Sequence, residues 1–493
     1  MRPEGAADSD DFIPDRSSFS GADTVEYLWH ELGLPPRALP SLHLTGSGHG
    51  FRSSFRIGHL AQNAVALSSL TAALVDSLRW LGREVRNVTV PLESACLEFI
   101  SERLCTVEGG VNSPSLPPIV GLHRTSDGYV RVHDGFPNHR NGTLRLLGLG
   151  ENATRDDVAR EVAKWKALDL EESGRVIKLA IYALRSFDEW DALPQARALP
   201  DCPISITKLD PGGNARLPDR MMRNPDRCLR GLRVLDLCRV LAGPVAGRTL
   251  ASHGAEVLWV TSPNLPDLPD LDRDTARGKR SIQLDLDRDA DRHTLRGLIK
   301  DSDIFLQAYR PGALAAKGFG PDDLIGLNPN IIYATVSAFG SSGPWADRRG
   351  FDSLFQTCSG MNVAEAAFFG NVDGEVARPA PCQPLDHASG QFLAAGIAAA
   401  LYKRALEGGS WKVEVSLAGT MKYLRSLGQV ECGPNGFEDL INASGEGHEE
   451  CFEERESEFG RMRALRPPAA VEGAMPGFDG MSRPLGSDEA EWL

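Results

Sequence analysis

With 493 residues the chain has room for two or three domains, and a hydrophobic content of 42% supplies cores for them. Its formal net charge of −14 excludes nucleic acid or an anionic membrane as a general partner, because both demand broad positive surfaces. Nine cysteines without a CxxC pair give neither a disulfide framework nor a zinc signature, so the expectation is a reducing compartment and no metal.

In chain order, MRPEGAADSDDF is too acidic for a transit peptide and has no signal-peptide core. No apolar run is long enough to span a bilayer. The default address is the cytoplasm, with peroxisome and mitochondrion left open, and residues 1–25 are expected to be disordered. Residues 57–100 can be laid against 385–424. His59 then falls opposite His387, TAAL (71–74) opposite AAAL, VTVPL (88–92) opposite VEVSL, and Gly58 opposite Asp386. A first copy over 26–206 would thus lack the carboxylate, and its helix is expected to serve as packing or wall.

A Pro/Gly-rich linker is expected at 207–227, before a large domain at 228–431. There Leu232, Val234, Leu235 and Leu237 predict a buried strand, Gly243 to Ser252 a helix, and Glu256 to Val260 the next strand. Apolar runs alternating with helical patterns predict an α/β fold with a parallel sheet covered on both faces, and ligands beyond the carboxyl ends of its strands. The first turn, Arg239 to Gly247, lacks GxGxxG, which argues against an NAD-dependent oxidoreductase. A polyanionic ligand would need local cations, for which Arg277, Lys279, Arg280 and Arg310 are candidates; solvated surface charge is the alternative for each. Cys358 and Cys382 are read as buried hydrophobes. Asp386 stands at the start of a small-residue helix, where an N-cap is the plain reading. The acid-rich stretch 432–460 is expected to be flexible.

Five segments follow one another in an order that carries a resemblance: GLRVLDLCRVLAGPVAGRTLASHGAEVLWVTSP (231–263), RGKRSIQLDL (277–286), DSDIFLQAYRPGALAAKGFG (301–320), LNPNIIYATVSAFGSSGP (327–344) and RGFDSLFQTCSGM (349–361). With LDHASGQ (385–391), they resemble the family III coenzyme A transferases, the superfamily of formyl-CoA transferase, carnitine CoA-transferase and α-methylacyl-CoA racemase. The resemblance implies a Rossmann-like open parallel sheet with a smaller α+β domain. The chain would then be two incomplete tandem copies in permuted order, the small domain coming from the first half, with 121–149 as its strand pair around an Asp-Gly turn and helix to about 193, and 461–493 as the closing segment packing on the large domain. The resemblance further implies Asp386 as nucleophile, with Val240, Ala242, Pro311 and Gly312 beside CoA together with the four cations. CoA and acyl-CoA would be substrates, with no permanently bound cofactor, a carboxylic acid as the other small-molecule partner, and a homodimer as one option.

An aspartate near its ordinary pKa of about 3.9 is ionised at neutral pH and can attack a thioester without a separate base. The expected product is an aspartyl mixed anhydride, then an aspartyl-CoA thioester. Backbone N–H groups at the helix start would meet the oxyanion; Gly390 would permit close approach, and His387 would orient Asp386 or simply pack. The racemases of the family need a base on each face of the carbon, and place a histidine where this chain has Phe351, which removes one base. Asp352 is given a hydrogen-bonded structural role. The other alternative is a non-catalytic acyl-CoA-binding relative, suggested by the acidic segment and the rearranged copies.

Overall fold

The computed structural model describes residues 12–79, 84–108, 110, 119–223 and 225–493. At its centre is a seven-stranded sheet in the order Lys279–Gln283, Glu256–Thr261, Arg233–Leu237, Ile304–Gln307, Ile332–Ser337, Ser410–Ser416, Ile204–Asp210. Six strands run parallel and Ile204–Asp210 joins the edge antiparallel. Both faces are covered, which is why these strands are apolar in successive residues instead of alternating. Leu235, Leu237 and Leu258 meet Leu295, Leu298 and Ile299 on one face. Val234, Ile304, Leu306 and Ile332 belong to the larger core on the other.

The winding sets the place of the site. From Arg233–Leu237 the chain steps outward to Lys279–Gln283, then returns to Ile304–Gln307 on the opposite side of its starting strand. That reversal leaves a crevice beyond the carboxyl ends of the two central strands.

Helix Pro384–Glu407 is apolar or small on every side and buried over almost its whole length. It packs along Ile57–Ser77, which is buried in the same way. Leu60, Leu67 and Leu74 of one and Phe392, Leu393 and Ile397 of the other are all fully enclosed. Each such side chain contributes about 1.5–3 kcal/mol, so this seam is a main bond between the halves. After Ile57–Ser77 come strand Val88–Pro91 and helix Leu92–Glu98; after Pro384–Glu407 come strand Ser410–Ser416 and helix Leu417–Ser426. The two halves share that order. Among the described residues, however, the first half builds no second large sheet: Val88–Pro91 pairs with Leu42–Thr45 and with Ala470–Val471 only.

A small domain stands apart in the first half. Gly121–Arg124, Tyr129–Val132 and Ile181–Ala183 form an antiparallel sheet, turned at Asp127-Gly128 and backed by three helices over a core of Val130, Leu144, Val158 and Leu170.

Three expected boundaries move. Residues 12–25 are ordered, not disordered: the Arg16 amide donates to the Ser426 carbonyl at 2.7 Å, and Ser20 caps helix Gly21–Glu31. The N-terminal eleven residues lie outside the described ones. The expected linker already contributes Ile204–Asp210 to the main sheet. The acidic stretch contains strand Phe452–Ser457, hairpinned to Gly460–Leu465 and through it to Thr106–Val107 of the first half. The closing segment therefore grips both halves, and its end pairs with the large domain through Asp488 and Ser281. Among the described residues no helix is long and apolar enough to cross a membrane.

Candidate active site

The crevice at the strand reversal is a cleft of about 380 Å³. Strand ends supply Leu237, Ala308 and Val336 to its wall, the loop before helix Ala242–Ser252 supplies Arg239 and Val240, the helix itself Ala242, and the small domain Phe136 and His139. Val240 holds a left-handed φ of 74°. For a β-branched residue that conformation costs about 1–3 kcal/mol, and here it falls on the wall of the cleft.

Asp386 opens onto this cleft. It lies inside the first turn of Pro384–Glu407, not at the N-cap position, which is Gln383. The free amides of the helix start are met from elsewhere: Leu385 and Asp386 N–H donate to Asp352 Oδ2 at 2.8 and 3.0 Å. Gln356 Nε2 donates to the other Asp352 oxygen at 2.6 Å. Asp352 thus does the capping and leaves the Asp386 carboxyl without a hydrogen bond among the described residues, facing open space. The structural role expected of Asp352 is a bond between two distant segments.

Asp386 is nevertheless 9% exposed and sits among acids. Burial first, then Asp352, then Glu102 push its carboxyl well above the usual carboxylate range. Asp352 is itself pushed up to about 6 by burial, against the backbone amide of Asp386 and Gln356, which pull it down. The expectation of an ordinary, freely ionised aspartate is therefore corrected: this carboxyl is held back from charging by a water-poor, anionic setting.

His387 is fully buried and turned away from the cleft. Its Nε2 lies 3.1 Å from Glu102 Oε2, its ring stacks on Phe99 with centroids 5.3 Å apart, and it makes no hydrogen bond to Asp386 among the described residues. Gly390 also faces away; a Cβ there would meet the Ala242 carbonyl oxygen at 2.6 Å, so it serves the close crossing of two helices and not an oxyanion.

Of the residues expected beside CoA, Val240, Ala242, Arg310 and Pro311 line the cleft and Gly312 turns just outside it at φ 80°. Arg277, Lys279 and Arg280 do not reach it. Arg277 is buried against Asp274 at 2.7 Å, Lys279 is buried against Asp236 at 2.8 Å, and Arg280 is held by Glu256 and the carbonyls of Glu489 and Glu491. Burial of a charge demands such a partner, and these partners consume the cations.

Sequence reasoning missed Arg348 and Arg349, although both immediately precede Gly350-Phe351-Asp352. They line the cleft with Arg310, and all three continue into a neighbouring cleft of about 160 Å³ that adds Arg175 and Lys178. Arg348 is paired with Glu171 at 3.1 Å, whereas Arg310 and Arg349 have no ion-pair partner among the described residues. Phe351 is enclosed by the small domain: His133 stacks on it at 3.9 Å, with His139 and Phe136 about its edge. Burial, aided by Arg131 and Arg349 respectively, pushes His133 and His139 down to about 4. Among the described residues no cluster of His, Cys, Asp and Glu could hold a metal ion.

A model of CoA-transferase family III matches residues 229–431. The chain is 32% identical to "Acetyl-coenzyme A transferase nodX" of Hypoxylon pulicicidum over 76% of its own length and 70% of that protein. It is 36% identical to "Probable fatty acyl-CoA transferase Rv3272" of Mycobacterium tuberculosis over 39% of this chain and 51% of that one. A crystal structure of Rv3272 covers 41% of this chain and 58% of its own, at 35% identity and a TM-score of 0.36. Against "Acetyl-CoA:oxalate CoA-transferase" of Acetobacter aceti, identity is 32% over 40% of this chain and 52% of that enzyme. The chain thus spans about half the length of the latter two relatives.

Proposed function

The chain belongs to CoA-transferase family III, and from that premise we propose that it moves coenzyme A from an acyl-CoA donor to a carboxylic acid, with Asp386 as nucleophile. The observation that carries the reading is the Asp386 carboxyl, free of hydrogen bonds among the described residues and opening onto the cleft at the strand reversal. Arg310 and Arg349, without ion-pair partners among the described residues and at the cleft's boundary with its neighbour, fit the phosphates of CoA. The apolar wall of Leu237, Val336, Ala338 and Leu417 fits an acyl chain.

In the proposed sequence an ionised Asp386 oxygen attacks the thioester carbonyl, the C–S bond breaks, and CoA leaves as thiolate from a mixed anhydride. The thiolate attacks the Asp386 carbonyl carbon, releasing the donor as its carboxylate and leaving an aspartyl-CoA thioester. An acceptor carboxylate then displaces the thiolate into a second anhydride, and thiolate attack on the acceptor's acyl carbon yields the new acyl-CoA and free Asp386. No proton is gained or lost over the cycle. The raised pKa of Asp386 suits this chemistry, because a poorly solvated carboxylate is a stronger nucleophile once charged.

The racemase reading finds less support. His139 lines the cleft, but its Nδ1 accepts the Ala180 amide at 3.2 Å, and a ring pushed down to about 4 is a weak base for an α-proton. Incubation of a 2-methylacyl-CoA in heavy water should give little deuterium at the α-carbon; rapid exchange would bring that reading forward. Hydroxylamine added during turnover should convert Asp386 to a hydroxamate, seen by peptide mass spectrometry. Asp386→Ala should lower transfer by more than about a thousandfold while CoA still binds. Near wild-type transfer by that variant would end the mechanism.

A further inference from the structure

We propose that Glu102 of the first half and His387 form one ion pair that acts as a positioning unit for Asp386, balancing a carboxylate that would otherwise stand unpaired beside the nucleophile. The inference rests on the reading of Asp386 as nucleophile. Neither partner touches the cleft, so neither is a catalytic residue.

The geometry comes from both halves of the chain. Glu102 lies in the short helix Ser101–Leu104, and its Oε2 is 3.1 Å from His387 Nε2, across 285 residues of sequence. Phe99, two residues before that helix, stacks on the imidazole. His387 follows Asp386 directly on its helix, and successive helical side chains diverge by about 100°. The carboxyl therefore points into the cleft while the imidazole points into the first half.

The surrounding charges are otherwise balanced in place. Glu98 and Asp274 share Arg248, and Asp274 has Arg277 as well. Arg103 comes within 3.5 Å of the second Glu102 oxygen, but its side chain is 43% exposed and donates to the Pro381 carbonyl. Cys382, buried nearby, is pushed up by burial and stays a neutral thiol. Asp352 and Asp386 have no salt-bridge cation among the described residues, and His387 pulls the Asp352 carboxyl down as well. Glu102 would be a third without His387, and its charge already contributes to holding Asp386 above the carboxylate range. Against burial, which alone would raise it, the His387 bond keeps Glu102 below its ordinary value and hence ionised. Breaking the pair from the histidine side lets burial raise Glu102 and, at any pH above that raised value, leaves a lone buried anion facing the nucleophile.

The test is a cycle of His387→Gln, Glu102→Gln and the double variant, read in two ways. One is the acid limb of kcat/KM for CoA transfer. The other is the titration midpoint of the Asp386 carboxyl by 13C NMR of aspartate-labelled protein, its resonance identified by its loss in Asp386→Asn. His387→Gln should move both upward by about one pH unit. The double variant should bring both back to the wild-type value or below, and Glu102→Gln alone should never raise them. A His387→Gln midpoint that stays put, or a double variant as displaced as His387→Gln, would overturn the pair. If His387→Gln does not fold, a rise with Glu102→Gln would overturn it equally. The NMR readout needs no turnover: a cycle that behaves as expected in a protein that transfers no CoA would retain the pair and discard the transferase reading.

Discussion

The two long buried helices, Ile57–Ser77 and Pro384–Glu407, run through the same core and lead into the same strand-then-helix order, yet their N-termini meet opposite surroundings. At Gly58 a Cβ would lie 2.3 Å from the His49 carbonyl oxygen, so the position that aligns with Asp386 is packed shut. At Asp386 the same position opens onto the cleft. The aligned histidines differ as well. His59 lies between Thr24 and Arg56 and is pushed down to about 3 by burial and by Arg56, so it is neutral; His387 faces the carboxylate of Glu102. One helix end is packed shut and the other opens onto the cleft, and what separates them is the neighbouring chain, not the helix itself.

That comparison breaks most drastically if the halves are separated. The seam between the two helices, the Glu98–Arg248 ion pair and the Glu102–His387 contact all cross from the first half to the second. A cut in the exposed loop after Asp210, giving 1–212 and 213–493, should leave each fragment insoluble or inactive, since each would expose the apolar face that the other covers. Co-expression of the two should restore CoA transfer. A 213–493 fragment that transfers CoA unaided would make the first half an appendage.

Gly58→Asp asks whether a carboxylate alone makes a site. With backbone in the path of its Cβ, this variant should lose about 3 kcal/mol or more in urea unfolding and gain no second labelling site for hydroxylamine. A stable variant carrying two hydroxamates would show that the first half keeps a usable cleft.

Asp352→Ala removes the acceptor that anchors the start of the Asp386 helix. The loss of two amide bonds to a charged group should cost about 2 kcal/mol and lower kcat by roughly a hundredfold, through a nucleophile no longer held in place. Just ahead of the other helix Glu365 accepts the Ser54 amide at 2.9 Å, so Glu365→Ala should cost similar stability with kcat nearly unchanged. Equal losses of kcat would show that both carboxylates serve the site alike.

Much of the large domain was legible. Residues 232–237, 243–252 and 256–260 read as strand, helix and strand because their apolar runs are the covered faces of the sheet. Arg277 and Lys279 misled, since a cation in a sequence does not announce its partner. Asp236 could have warned: a carboxylate inside the buried strand Arg233–Leu237 requires a buried cation, and Lys279 is it. The acid-rich 452–457 was read for its charge, although Phe452 points inward and the following residues alternate as an edge strand does. Glu102 could not have been found, because nothing local marks a carboxylate whose partner lies in the other half.

The smallest expected effect bears on the charge that distinguishes the two helix starts. A carboxyl whose folded pKa exceeds its unfolded value of 3.8 binds more protons folded than unfolded in the interval between them. Stability therefore falls as pH rises through that interval, and above the folded pKa the whole penalty is present. Asp386→Asn keeps the shape and cannot titrate, so it is spared the penalty. Its melting temperature relative to wild type should climb from pH 5 to pH 8, ending a few degrees higher, while Gly58, with no charge to bury, offers no such gain. A difference that stays level across this range would mean that Asp386 ionises as easily folded as unfolded, and that the acids around it do not hold it back.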